Sequence, residues 1–291
     1  MVSSLNLAVL VAASTLAVGI AKPLQLSSGI FYSPGRHSQV TKTVIAEDLS
    51  LLAQHFSSIR TNSAKFNDIS AIAMAASANL RIGVIVSMGV PWFIDSEIQA
   101  VCDGVAQYPQ TVEAVYVGSE SLKNGDIGMY TADQIIGYIN EVKKCVKGKV
   151  PVGSILRANE WLHVDTADAV AKASDLVGCN IYPFFTPGTE PPIKKLESQW
   201  GEMLKKFGHK VRLTKTDWPH MGEKFDDNVP SKNTMQQYFD DYRTTWSSYG
   251  KNQSYYFRAF DATEISGARY EIFTGLFDTN GVPNIQLPIT P

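Results

Sequence analysis

Charge of one sign is what this chain lacks most plainly. Its 291 residues carry 26 Lys and Arg against 28 Asp and Glu, a formal net charge of −2. That balance excludes the basic stripe that nucleic acid or an anionic membrane surface requires, and leaves a neutral polysaccharide or a small molecule as the fitting partner. Cysteine is scarce: three residues, Cys102, Cys145 and Cys179, at spacings that match no zinc pattern. The five histidines show no metal-ligand spacing and read as surface or loop residues, so neither a metal nor a cofactor is expected. No glycine-rich phosphate turn follows the first predicted strand, where Ser33-Pro34-Gly35-Arg36 is a poor substitute. Internal repeats, low-complexity segments, linkers and a C-terminal apolar anchor signal are all missing.

Only one apolar run is long enough to consider for targeting. Leu5 to Ile20 falls short of the ~20 apolar residues of a spanning helix. Gly19-Ile20-Ala21 then offers small residues where a signal peptidase reads, and Lys22-Pro23 ends the run. The expectation is a secretory signal peptide over 1–21 and one domain over 22–291, with a buried N-terminal helix as the alternative. Cys102 and Cys145 fall on successive predicted helices, so a disulfide there with Cys179 as a buried thiol is one reading, and the pairing stays open. Asn252-Gln253-Ser254 is the sole glycosylation sequon.

Hydrophobic residues make up 44% of the chain and aromatics 10%, enough for one well-buried core. Runs of β-branched and apolar residues recur at Leu24 to Tyr32, Ser57 to Asn62, Arg81 to Met88 and Val112 to Val117. They recur again at Pro151 to Leu156, Asp175 to Tyr182, Lys210 to Lys215 and Tyr255 to Asp261. Most lack clean alternation, as parallel strands buried on both faces do. Helical patterns lie between them, including Val44 to Phe56, Ile69 to Leu80, Asp133 to Val146 after an N-capping Thr131, Ile193 to Phe207 and Thr234 to Trp246. About eight strand–helix alternations are the signature of an α/β fold of one kind, a single (β/α)8 TIM barrel. A doubly wound open sheet is the alternative.

In such a barrel, functional side chains stand at the carboxyl ends of strands, which makes Glu120 the leading candidate. The run Val117-Gly118-Ser119-Glu120-Ser121-Leu122, followed by Asn124-Gly125-Asp126, and the later run Leu213-Thr214-Lys215-Thr216-Asp217-Trp218-Pro219 together resemble glycoside hydrolase family 17. Asn180-Ile181-Tyr182-Pro183-Phe184-Phe185 and Phe257-Arg258-Ala259-Phe260-Asp261 match two further strand endings of that family. The resemblance runs in motif order from about Leu24 to Pro283. It implies a (β/α)8 enzyme that cleaves or re-ligates β-1,3-glucan. It also implies Glu120 as acid/base, an aromatic sugar wall drawn from Tyr32, Tyr182, Phe184, Trp218 and Phe260, and substrate-binding positions that include the first four of these with Ser119, Arg258 and Asp261.

The same resemblance marks departures. Lys215 stands where the family carries its nucleophile glutamate, Ser119 where it carries asparagine, Asp217 where it carries glycine, and Arg258 where it carries glutamate. Retaining hydrolysis needs two carboxyl groups ~5 Å apart, and a protonated amine cannot form the glycosyl ester. A lysine facing Glu120 is expected to form an ion pair with it, which works against the general-acid role. Glu160, Glu223 and Glu264 are the carboxylates that remain as stand-ins. Three readings follow. The first is a secreted, cell-wall-associated protein that binds β-1,3-glucan with retaining activity lost or much reduced. The others are an active hydrolase or glucanosyltransferase using another carboxylate, and a non-catalytic structural or storage protein on a barrel scaffold.

Overall fold

A computed structural model describes residues 28–246, 254–263 and 267–288. The expected signal segment, Asn252 of the sequon and Glu264 lie outside the described residues. Eight parallel strands close into a barrel: β1 (Ser28–Phe31), β2 (Ser58–Arg60), β3 (Arg81–Val86), β4 (Val112–Ser119), β5 (Val152–Arg157), β6 (Leu176–Asn180), β7 (Val211–Lys215) and β8 (Ser254–Tyr256). Each strand pairs with its sequence neighbours, and β8 closes onto β1. The expected (β/α)8 barrel is therefore the fold. An antiparallel hairpin, Lys65–Phe66 with Ile69–Ser70, decorates the loop after β2.

The outer layer holds α1 (Lys42–Leu52), α2 (Ala71–Ser77), α3 (Ile94–Gln107), α4 (Ala132–Val146), α5 (Ala158–His163), α6 (Ala167–Ala173), α7 (Pro192–Phe207) and α8 (Lys232–Asp241). The predicted cap at Thr131 forms a full capping box with Gln134. The paired helices α5 and α6 follow β5, each too short for a 3.6-residue period to declare itself. Apolar faces of the helices pack on the outward residues of the strands as one continuous core. Inside the barrel, Ile85, Ala114, Tyr116, Ile155 and Leu176 form a second, smaller core. The Tyr255 ring fills the space between β1 and β3, where a Cβ on Gly83 would lie 2.5 Å from its hydroxyl. That is too close for any larger residue, so glycine at this position is a packing requirement.

Cys102 on α3 and Cys145 on α4 form a disulfide with Cα atoms 5.5 Å apart, and Cys179 is buried on β6. The bridge closes a loop of 43 residues, which in the chain-entropy estimate contributes up to about 4 kcal/mol. Among the described residues, no helix is long and apolar enough to cross a membrane.

Candidate active-site cleft

The carboxyl ends of the strands carry the polar residues. Along β4 the run Val112 to Gly118 is buried, and the chain emerges at Ser119 and Glu120. Gly118 and Glu120 both take left-handed backbone conformations, with φ of 71° and 55°. For a residue with a side chain this costs roughly 1–2 kcal/mol. It is held in place by the Glu120 amide, which donates to the Ile155 carbonyl at 2.8 Å.

The Glu120 side chain is clamped from one side. Its Oε1 accepts from Asn180 Nδ2 at 2.6 Å and from the Tyr182 hydroxyl at 2.9 Å. Asn180 is itself oriented by Thr214, whose hydroxyl donates to its Oδ1 at 2.8 Å. Burial, reinforced by the Glu120 charge, pushes the Tyr182 phenol well above its ordinary range, so it stays a donor. Arg157, at the end of β5, reaches to 4.0 Å from Glu120 Oε2 but is committed to Glu160 through contacts of 2.9 and 3.1 Å. Glu160 is buried in that pairing, and the exposed Glu223 accepts from the Arg269 amide. Neither lines the cleft.

The ion pair expected between Lys215 and Glu120 is not formed. Lys215 closes β7, and its ammonium lies over aromatic rings instead, 4.4 Å from the centre of Phe257 and 5.7 Å from that of Phe31. The physical reason is that Glu120 is drawn toward Asn180 and Tyr182 on β6 and its loop. Lys215 meanwhile shares its side of the barrel with two other cations. Burial, then repulsion from Arg60 and Arg258, holds the Lys215 amine down at about 8. Asp217 is buried, and desolvation lifts its carboxyl to about 7 against the pull of Lys215 and Arg258. Arg60, at the end of β2, is fully buried with its guanidinium 4.8 Å from the Phe31 ring, and burial lowers its pKa to about 10.

These residues enclose two cavities that meet at Glu120 and Phe257. One, of about 600 Å³, is walled by Tyr182, Phe184, Phe185 and Tyr270, with Asn180 and Asp217 at its base. The other, of about 570 Å³, is lined by Ser119, Arg60, Lys215, Arg258 and the Phe31 ring. Ser119, Tyr182, Phe184 and Arg258 of the anticipated site thus gather here with Glu120 and Lys215. Three others sit behind the surface and line neither cavity. The Tyr32 hydroxyl donates to Asp48 at 3.0 Å, and the Trp218 indole donates to the Val229 carbonyl. Asp261 is taken up by His220 at 3.0 Å and the Gly275 amide at 2.9 Å. His220, read as a surface or loop residue, lies in the loop after β7 and is a buried partner of that carboxylate. Phe260 packs under Arg36. Asn180, Arg157 and Arg60 were not anticipated, although each ends a barrel strand and the rule that singled out Glu120 applies to all three.

Residues 29–270 match the family described as the BtgE/BtgC glycoside hydrolase domain. The chain belongs to this family. The scaffold of a family 17-type glycoside hydrolase, expected from the strand-end motifs, is thereby established for the BtgE/BtgC-type barrel in hand. Among curated proteins it is 30% identical over 196 residues to the probable glucan endo-1,3-beta-glucosidase eglC of Emericella nidulans, covering 60% of this chain and 41% of that protein. It is 28% identical over 216 residues to the probable beta-glucosidase btgE of Aspergillus clavatus, covering 70% of this chain and 37% of that protein. The BtgE/BtgC-type barrel thus spans less than half the length of either relative. In fold it is similar to the glycoside hydrolase family 17 beta-1,3-glucanosyltransferase of Rhizomucor miehei, with a TM-score of 0.75 and 23% identity over 89% of this chain and 96% of that one. An active-site mutant of that enzyme, in complex with laminaritriose, gives a TM-score of 0.75 at 22% identity, covering 90% of this chain and 97% of that one.

Proposed function

We propose that this barrel binds β-1,3-glucan in the cleft around Glu120 and has lost, or largely lost, retaining hydrolysis. The observation that carries the proposal is the character of the β7 end. Lys215 occupies the position the family motif gives to a nucleophile, and Arg60 and Arg258 line the same cavity. A glycosyl ester requires a carboxylate within ~5 Å of the acid/base, and an oxocarbenium-like centre forming beside three cations is destabilised. Glycan binding is supported by the aromatic wall of Tyr182, Phe184, Phe185 and Tyr270, since such faces pack on the apolar faces of pyranose rings. The likeness to a probable glucan endo-1,3-beta-glucosidase and, in fold, to a beta-1,3-glucanosyltransferase supports the same polymer. The apolar run expected to be a signal peptide over 1–21, together with the α3–α4 disulfide, which persists in oxidising compartments, supports action outside the cell, at the wall.

A second reading has one observation behind it. Asp217 lines the same cavity as Glu120, and a carboxyl lifted to about 7 suits a general acid. In that reading the protein is an active glucanase or glucanosyltransferase with a redistributed pair of carboxyls. Incubating the purified protein with laminarihexaose, with products resolved by mass, separates the two. The expected outcome is an unchanged hexasaccharide that nevertheless protects the protein against heat. Shorter or longer products that vanish in both Glu120→Gln and Asp217→Asn establish the second reading and sink the first.

A further inference from the structure

The cationic cavity has a chemistry that a neutral glucan does not answer. Arg60 is 0% exposed, and its Nε, Nη1 and Nη2 are all buried with no hydrogen-bond acceptor among the described residues. Buried donors without partners are rare, and a guanidinium that has an aromatic neighbour but no hydrogen-bond acceptor is costly to keep. It lines the cavity of about 570 Å³ together with Lys215 and Arg258. The only acidic residue lining that cavity among those described is Glu120, whose Oε1 is already taken by Asn180 and Tyr182 on the far side. Two phenylalanine rings, Phe31 and Phe257, are part of the lining.

We infer that this cavity binds an acidic pyranose, a sugar ring carrying a carboxylate, with the carboxylate received by Arg60 and Lys215. A guanidinium presents a planar fork of donors that a planar carboxylate matches two bonds at a time. A neutral hydroxyl accepts hydrogen bonds but leaves the charge uncompensated. The volume is far larger than a bare anion needs and suits a sugar ring, and the flanking phenylalanines give that ring a face to lie on. The inference rests on the reading of the cleft as a glycan site and sharpens it. Neutral units occupy the aromatic cavity, and an acidic unit occupies the cationic one beyond Glu120.

The test titrates the full protein by calorimetry with glucuronic acid, glucose, inorganic phosphate and laminaritriose, at low and high salt. Glucuronic acid is expected to bind at least about tenfold more tightly than glucose, and less tightly as salt rises. Lys215→Met and Arg60→Lys are each expected to weaken glucuronic acid about tenfold or more while leaving laminaritriose within about twofold. Lys215→Met is the safer variant, because Lys215 is only half-buried, and its melting temperature confirms folding. Equal affinity for glucuronic acid and glucose overturns the proposal. So does phosphate binding as tightly as glucuronic acid, which would show a bare-anion site, and so does unchanged affinity in both variants. Failure of laminaritriose alone removes the glucan reading and leaves the acidic-sugar site standing.

Discussion

Lys215 governs the energetics of the cleft as well as its chemistry. It adds a third positive charge beside Arg60 and Arg258, and its ammonium lies over aromatic faces without a direct ion pair to a carboxylate among the described residues. Lys215→Glu is therefore expected to stabilise the fold, because it removes repulsion and supplies Arg60 with an acceptor. A gain of about 1–3 kcal/mol corresponds to several degrees in Tm for a barrel of this size. Calorimetric melting checks the sign, and a fall in Tm would refute the charge argument. The same variant is expected to produce little turnover of laminarihexaose, since Ser119, Asp217 and Arg258 still depart from the family pattern. Asp217 offers a pH test. Its carboxyl is lifted from an ordinary 3.8 to about 7, so the folded state holds more protons than the unfolded one across that window. Its contribution to stability is present below about pH 4 and lost as pH rises toward 7. Measured as Tm against pH, Asp217→Asn should gain on the parent protein through that interval, and parallel curves would show that the carboxyl is not desolvated.

At the level of elements, the aromatic wall depends on a clamp that lies outside the cleft. Lys195 on α7 is buried, and its ammonium donates to the Thr186 carbonyl at 2.8 Å, the Gly188 carbonyl at 2.5 Å and Asn228 Oδ1 at 2.7 Å. Asn228 Nδ2 in turn donates to the Phe184 carbonyl at 2.7 Å. One lysine thus ties the loop after β6 to the loop after β7, and both carry cleft residues. Lys195→Met should cost about 2–4 kcal/mol and weaken laminaritriose binding, although the side chain reaches no cavity. Urea unfolding together with calorimetry decides this, and a variant with normal stability and normal binding would dismiss the clamp. The clamp also shows where sequence reading stops. Strands such as Val112 to Val117 were legible because a parallel strand buried on both faces must be apolar. A lysine in a helix reads as solvated, and only the packing of two loops over α7 buries this one. The last strand, expected over Tyr255 to Asp261, is only Ser254–Tyr256. Beyond it the chain turns irregular, yet still donates from the Ala259 amide to the Phe31 carbonyl at 2.8 Å. Glu120, Ser119 and Tyr182 were legible as strand endings. The orphaned Arg60 was not, since that depends on which acceptors the finished barrel brings near it.

Across the whole molecule, the mouth of the barrel extends past the two cavities. The loop after β3 displays Trp92, 78% exposed, and Phe93, 56% exposed, just beyond the lining residues Met88 and Gly89. The same loop is tied to the one after β4, where the Tyr130 hydroxyl donates to the Met88 carbonyl at 2.8 Å. On the proposed glucan-binding reading, a large apolar side chain left this open at the rim of the cleft is expected to serve as a platform for a further sugar ring. Trp92→Ala is expected to weaken laminarihexaose by about fivefold to twentyfold and leave laminaritriose nearly unchanged, with Tm unaffected. Equal losses for both oligosaccharides would place the tryptophan elsewhere in the binding event. The two cavities that meet at Glu120 carry one more consequence. One side of the cleft is aromatic and carries the acidic residues Asp217 and Glu271, and the other carries Arg60, Lys215 and Arg258, so the groove has a direction. A polymer chain has a reducing end and a non-reducing end. On the glucan-binding function proposed above, a groove that distinguishes its own two halves is expected to accept such a chain in one orientation only, and so to read the polarity of the polysaccharide.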